Sequence, residues 1–314
     1  MGIPSLNYYL RITCPEAIKT THLSHFKGKR LVIDTSIYLY KFKGNGTITE
    51  NMYIMCSLFK KYGIIPIFIF DGAPPREKYE TIKQRSLKKY QAEEEYLVMK
   101  EQLQNIISKQ IRSAIMIKMK LLEKKFIRVK NKDIRNVKLF LKAYGIDYIL
   151  AEGEADILCA KMVIDGKADA CLSDDMDLFV HGCPYVLRYL NLTKKTVSSY
   201  HLKTILEKMD ISIVDFRRLC ILTGTDYSIK NNRKTFCYYY KLYKRFKATK
   251  EIDFTMWLSN NNILIDTEVK KLKSVELLFD INSIQIPEGV INTNIDSTAL
   301  QNILECDQFI FAPM

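Results

Sequence analysis

The sequence predicts an α/β fold with a mostly parallel central sheet flanked by helices, and three observations carry that expectation. Five short apolar segments of strand length alternate with segments of helical periodicity. Four of the five are followed closely by carboxylates. The composition, 47% apolar and 26% charged with no Pro- or Gly-rich tract, is that of a globular chain able to bury a core.

Taken in order, RLVID (30–34) ends in Asp34 and IIPIFIF (64–70) runs into Asp71. IDYIL (146–150) is followed by Glu154 and Asp156, and ADACL (168–172) by Asp174, Asp175 and Asp177; YVLRYL (185–190) completes the set. Open α/β sheets bind ligands beyond the carboxyl ends of their strands, so these acids are expected to converge on one crevice. An Asp after a strand also caps the next helix, which accounts for any one of them alone. It does not account for the second carboxylate in EAD (154–156) and DMD (175–177). Acids so close repel one another and either face water or share a cation, and hard divalent ions prefer carboxylate oxygen.

The charge is uneven. Of the net +13, residues 1–250 hold 45 basic and 25 acidic side chains, and residues 251–314 hold 3 and 10. The first part is therefore expected to meet a polyanion. Between Arg76 and Lys142 a stretch without Gly or Pro carries 19 basic residues against 8 acidic ones. Lys78 and Arg85, seven positions apart, share one helical face there, with Lys88 and Lys89 nearby. The alternative is a solvated helical hairpin laced with salt bridges, to which the EEE run at 93–95 would contribute. A second basic stretch, Tyr227 to Lys250, has eight cations and no acid, interleaved with Tyr238, Tyr239, Tyr240, Tyr243 and Phe246. That mixture suits sugar-phosphate contact, although Tyr239, Tyr243 and Phe246 recur at the spacing of a core face. Eight cysteines without a CxxC pair suggest neither a disulfide framework nor a zinc site, and His22 and His25 read as surface or packing residues. The longest apolar run, GIIPIFIF (63–70), is too short to span a bilayer, and the N-terminus has no signal-peptide layout. A soluble intracellular protein, nuclear or cytoplasmic and not secreted, is expected.

Together these residues resemble the flap endonuclease family, the XPG-type structure-specific 5′ nucleases. The resemblance covers about residues 1–230 through MGI with a following Leu, RLVIDTSIYLYKF, IFIFDGAPP, AEGEADILCA, SDDMDLF and LCILTGTDYS, in the family's order. It implies a PIN/XPG-like nuclease fold with an N-terminal nuclease region (1–75), a helical gateway or cap insertion (76–142), an internal nuclease region (143–226), and a divergent helix-turn-helix region with a C-terminal segment (227–314). It also implies metal ligands at Asp34, Asp71, Glu154, Asp156, Asp175, Asp177 and Asp226, with Asp174 a neighbour only. Lys78 and Arg85 match the catalytic gateway bases on the scissile phosphate, Tyr40 the aromatic that stacks on a base, and Gly2 a glycine packed close to the active site. Two Mg²⁺ ions, with Mn²⁺ able to replace them, would activate water for in-line displacement, leaving 5′-phosphate and 3′-hydroxyl ends. The implied partner is flapped, gapped or branched DNA in replication, repair or recombination, bound by a monomer. An RNA-cleaving nuclease of the same fold and a non-catalytic nucleic-acid-binding protein are the alternatives.

Three departures from the family pattern shape the expectations. After TGTDYS the glycine-containing hairpin is replaced by SIKNNRKTFCYY, so duplex grip falls to Lys230, Arg233 and Lys234, and no potassium site is expected. The segment between Tyr40 and Asp71 is shortened where the family builds its duplex-splitting wedge, so the resemblance does not extend to a preference for a flap with a 3′ overhang. In the tail, Gln301 and Leu304 keep the first half of a sliding-clamp motif, but Asp307 and Gln308 occupy its aromatic positions and Phe309 and Phe311 fall out of register. The C-terminus therefore reads as packed structure rather than a clamp motif.

Overall fold

A computed structural model describes residues 2–103, 108–227, 234–287 and 294–306. The chain divides into two compact units, one of Met1–Ile37, Ile54–Ala73 and Ile146–Thr293, the other of Tyr38–Tyr53, Pro74–Gly145 and Asn294–Met314.

The first unit holds a seven-stranded sheet: β1 (Ile18–His22), β2 (Arg30–Asp34), β3 (Ile65–Phe70), β4 (Tyr148–Leu150), β5 (Ala170–Leu172), β6 (Tyr185–Asn191) and β7 (Thr196–His201). Their spatial order is β1-β7-β6-β5-β2-β3-β4. The pairs β2–β3, β2–β5, β3–β4 and β5–β6 are parallel, while β6–β7 and β1–β7 are antiparallel. In β2, Leu31, Val32 and Ile33 are wholly buried, the continuous apolar run of a parallel strand covered on both faces. From β2 the chain steps through β3 to β4 on one side and later through β5 to β6 on the other. The order thus reverses between β2 and β5, and a crevice opens at their carboxyl ends.

All five expected strands form, three of them trimmed, to 65–70, 148–150 and 170–172. β1 and β7 are additions, because IKTTH and TVSSYH lack the apolar run that marks a buried strand. Helix Ala155–Ile164 follows β4 and buries Leu158, Cys159, Met162 and Val163 in the main core. Helix Ile213–Thr223 is capped by Ser212, whose hydroxyl accepts from the Asp215 N–H at 3.0 Å, and ends at Gly224 with φ +126°. In helix Phe236–Lys247, Tyr239, Tyr240, Tyr243 and Phe246 are buried, so most aromatics of the second basic stretch are core. The seven described cysteines whose state is seen are free thiols.

In the second unit, helix Tyr79–Gln102 packs against helix Lys109–Glu123. Lys118 pairs with Glu95 at 2.8 Å and Arg128 with Glu93 at 2.6 Å, while Tyr96 meets Phe126 edge-on at 5.4 Å. The salt-bridge-laced hairpin is therefore present, and its half-exposed pairs add little stability individually. Helix Asn131–Ala143 packs against helix Ser297–Cys306, in which Leu300 and Leu304 are buried. Asp307, Gln308, Phe309 and Phe311 lie outside the described residues. Among the described residues, no helix is long and apolar enough to cross a membrane.

Candidate active site

Asp34 closes β2 and is buried. It precedes helix Thr35–Gly44, and the Ile37 N–H of that helix binds its carboxylate, so the capping role is real here. Ser173 Oγ, from the loop after β5, donates to Asp34 Oδ2 at 2.9 Å. Burial above all, then the charges of Asp71 and Asp175, push the Asp34 pKa up to about 7. Three acids delivered by three strands thus act on one another.

Asp71 accepts from Ser36 Oγ and, at 2.8 Å, from the Ala155 N–H that opens the helix after β4. A glycine makes this approach possible. Gly72 N–H donates to Gly153 O at 2.7 Å, Ala73 N–H to Glu152 O at 3.2 Å, and a Cβ on Gly72 would stand 2.1 Å from Ala151 O. The DGA and AEGE segments are thereby clasped backbone to backbone.

Glu154 occupies the N-cap position of helix Ala155–Ile164, yet its side chain makes no capping bond. Its Oε2 instead accepts from the Tyr227 hydroxyl. Asp156, in the first turn, stands 4.0 Å from Nε2 of the buried His181, which packs on Phe279. Asp175 donates its N–H to Ser173 Oγ at 3.1 Å and accepts from the Asp177 N–H at 3.1 Å, while Asp177 is itself buried. Gly2, at φ +86°, lies directly against this loop: a Cβ there would come within 2.5 Å of Asp175 Oδ1 and 2.9 Å of Met176 N. Asp174 is drawn toward β6, its carboxylate accepting from Tyr189 N–H and its carbonyl from Arg188 Nη2, both at 2.6 Å. Asp226 lies in the turn after helix Ile213–Thr223, beside Tyr227. Burial, with Glu154, Asp156 and Asp177 nearby, pushes the Tyr227 pKa strongly upward.

These acids suit a divalent cation by their chemistry. Their oxygens are hard donors, and Asp34, pushed up to about 7 first by burial and then by Asp71 and Asp175, marks a site whose negative charge is under-compensated. Among the described residues, no group of three His, Cys, Asp or Glu side chains is arranged to enclose an ion unaided.

In the second unit, Lys78 closes a short 3₁₀ turn (Arg76–Lys78) just before the helix that carries Arg85, Lys88 and Lys89. Lys89 Nζ stands 4.6 Å over the ring of Tyr40, which is 39% exposed. Burial, then the charges of Arg128 and Arg85, hold the Lys89 pKa down, so three cations and an accessible aromatic share one locality. Lys88 is exposed. In the first unit, Lys234 reaches over Tyr238 at 4.9 Å, while Lys230 and Arg233 lie outside the described residues. Ser36, Ser173, Tyr227 and Arg128 carried no distinctive sequence signal. The first three adjoin or nearly adjoin acidic motifs, and a hydroxyl beside an acid is too common a pairing to single out.

Two family profiles match the chain, the XPG N-terminal domain over residues 1–92 and the XPG I-region over residues 145–226. Flap endonuclease 1 of Leishmania braziliensis is 31% identical over 249 residues, 72% of this chain and 60% of that protein. The chain thus spans about three fifths of the length of this relative. Among solved structures, the catalytic core of Rad2 in complex with DNA substrate superposes with a TM-score of 0.69 at 21% identity, covering 97% of this chain and 95% of the other. Flap endonuclease-1 from Methanococcus jannaschii gives 0.64 at 22%, covering 98% and 93%. At those identities the likeness is one of fold, and it agrees with the sheet described above. With both family segments matched in order, the chain belongs to the XPG and flap endonuclease family.

Proposed function

We propose that the chain is a divalent-metal-dependent, structure-specific 5′ nuclease that hydrolyses phosphodiester bonds in flapped, gapped or branched DNA in replication, repair or recombination, leaving 5′-phosphate and 3′-hydroxyl ends. The observation that carries this reading is the meeting of Asp34, Asp71 and Asp175 at the β2/β5 switch point, where their mutual charge and burial lift Asp34 to about 7. Asp34, Asp71, Glu154, Asp156, Asp175, Asp177 and Asp226 would hold the ions, two of Mg²⁺ or Mn²⁺. Bound there, divalent ions supply the Lewis acidity that makes water a competent nucleophile near neutral pH and offset charge on the attacking and leaving oxygens.

The chain's own residues do the rest. Ser36, Ser173 and backbone N–H groups fix Asp34, Asp71 and Asp175 without cancelling their charge. Lys78 and Arg85 offset charge that grows on the phosphoryl oxygens, an interaction strongest in the transition state. Tyr40 gives an unpaired base a stacking face, and Lys88, Lys89 and Lys234 bind backbone phosphate, as would Lys230 and Arg233.

The test is cleavage, in Mg²⁺ and in EDTA, of a labelled 5′ flap, nicked duplex, gapped duplex, four-way junction, single-stranded DNA and RNA. Metal-dependent cutting at the flap base is expected. No cutting by folded, DNA-binding protein in Mg²⁺ or Mn²⁺, or cutting confined to RNA, overturns the reading.

A further inference from the structure

The acid cluster is assembled from segments far apart in the chain, and one residue bridges two of them. Tyr227 directly follows Asp226, in the turn after helix Ile213–Thr223, and its hydroxyl donates to Oε2 of Glu154 at the start of helix Ala155–Ile164. The phenol is 8% exposed, and its ring meets Phe279 edge-on at 5.5 Å. Asp156 and Asp177 lie close enough for their charges to act on it. The Glu154 carboxylate makes no capping bond to its own helix and is held from across the fold by this buried tyrosine.

We propose that Tyr227 is a positioning residue for the divalent-metal site: by donating to Glu154 it fixes that carboxylate for metal binding and ties the Asp226 turn to the Glu154–Asp156 segment. This rests on the reading of these acids as metal ligands. Partners that orient a metal-binding carboxylate through its second oxygen typically change metal affinity 10- to 100-fold when removed. Phe279 packs on the ring, so Tyr227→Phe removes the hydroxyl while keeping that ring contact.

The experiment is Mn²⁺ titration without DNA, read by electron paramagnetic resonance, on the unaltered chain, Tyr227→Phe, Glu154→Gln and the double variant. Thermal unfolding in EDTA checks the fold of each. Tyr227→Phe should weaken Mn²⁺ binding about 10- to 100-fold and leave metal-free melting close to that of the unaltered chain. In the Glu154→Gln background the same change should weaken binding no further, because Tyr227 acts through Glu154. Wild-type affinity in Tyr227→Phe, or independent losses that multiply in the double variant, overturns the proposal. If Tyr227→Phe alone melts early, the pair of Glu154→Gln chains, with no buried charge left to strand, still decides it by the same criterion. Failure of the unaltered chain to bind Mn²⁺ would instead sink the metal-ligand reading, and this proposal with it.

Discussion

Replacing Asp34 by Asn should stabilise the metal-free protein while abolishing its cleavage. Folding takes the Asp34 carboxyl from an ordinary value of 3.8 to about 7, chiefly through burial and then through Asp71 and Asp175. The sign follows from linkage. A carboxyl with a raised folded pKa binds more protons in the native state, so stability is lost as pH rises from about 4 to about 7, and the full cost is present above that. The ceiling on that cost is about 4 kcal/mol at pH 8. Relaxation and water penetration at a real buried site reduce it, so about 2 kcal/mol is the working figure. Asn keeps the shape: its amide oxygen can accept from the Ile37 N–H, and Ser173 Oγ, a hydroxyl that accepts as well as donates, can turn to accept from the amide NH2. In EDTA at pH 8 the variant should therefore melt roughly 4 °C above the unaltered chain, and the gap should nearly close at pH 4. Adding Mg²⁺ should raise the melting point of the unaltered chain far more than that of the variant. An Asp34→Asn chain no more stable than its parent at pH 8, or equally advantaged at both pH values, would refute this account of the cluster.

Three further substitutions test the geometry. Lys78→Ala and Arg85→Ala should each lower the single-turnover rate on a flap about 100- to 1,000-fold with a smaller loss of DNA affinity, and unchanged rates would remove both from the chemistry. Gly2→Ala should cut that rate about 100-fold and lower the melting point as well, because its Cβ would lie 2.5 Å from Asp175 Oδ1 at a strained φ of +86°; a fully active variant would show that the N-terminus does not shape the site. Gly72→Ala must part the two clasped loops, its Cβ falling 2.1 Å from Ala151 O, and should cost at least about 2 kcal/mol in urea unfolding together with a drop in Mn²⁺ affinity. A neutral Gly72→Ala would mean the loops separate freely.

The sheet was legible where burial writes a continuous signal. The β2 run of Leu31, Val32 and Ile33 is apolar because both its faces are covered, and the acids that follow such strands could be placed at one edge before any coordinates. β1 and β7 were not legible, since IKTTH and TVSSYH hold their places by antiparallel pairing that many polar sequences can make. Capping was legible only on average. Asp34 does cap its helix, whereas Glu154, at an N-cap position but with a longer side chain than the favoured caps, does not. The partner its carboxylate takes in Tyr227, some seventy residues away, is encoded by no local pattern around Glu154. The aromatic stretch after Tyr227 misleads in the opposite way, because a basic, aromatic sequence looks like a nucleic-acid surface while its ring positions at 239, 240, 243 and 246 go into the core.

The donors on the central acids explain how the fold can carry them at all. Asp34, Asp71 and Asp175 accept from the hydroxyls of Ser36 and Ser173 and from the N–H groups of Ile37, Ala155 and Asp177, all of them neutral. A lysine or arginine in those places would satisfy the carboxylates better and would lower Asp34 rather than leave it near 7. It would also occupy the charge that a divalent ion must find. Neutral donors orient each carboxylate and offset part of the desolvation cost while leaving the net negative charge intact, so the remaining cost would become a driving force for cation binding. Cations gather in the second unit, where burial and then the charges of Arg128, itself paired with Glu93, and of Arg85 hold the Lys89 pKa down beside Tyr40. On the proposed function, a divalent ion would relieve the acid cluster and backbone phosphate the cationic one.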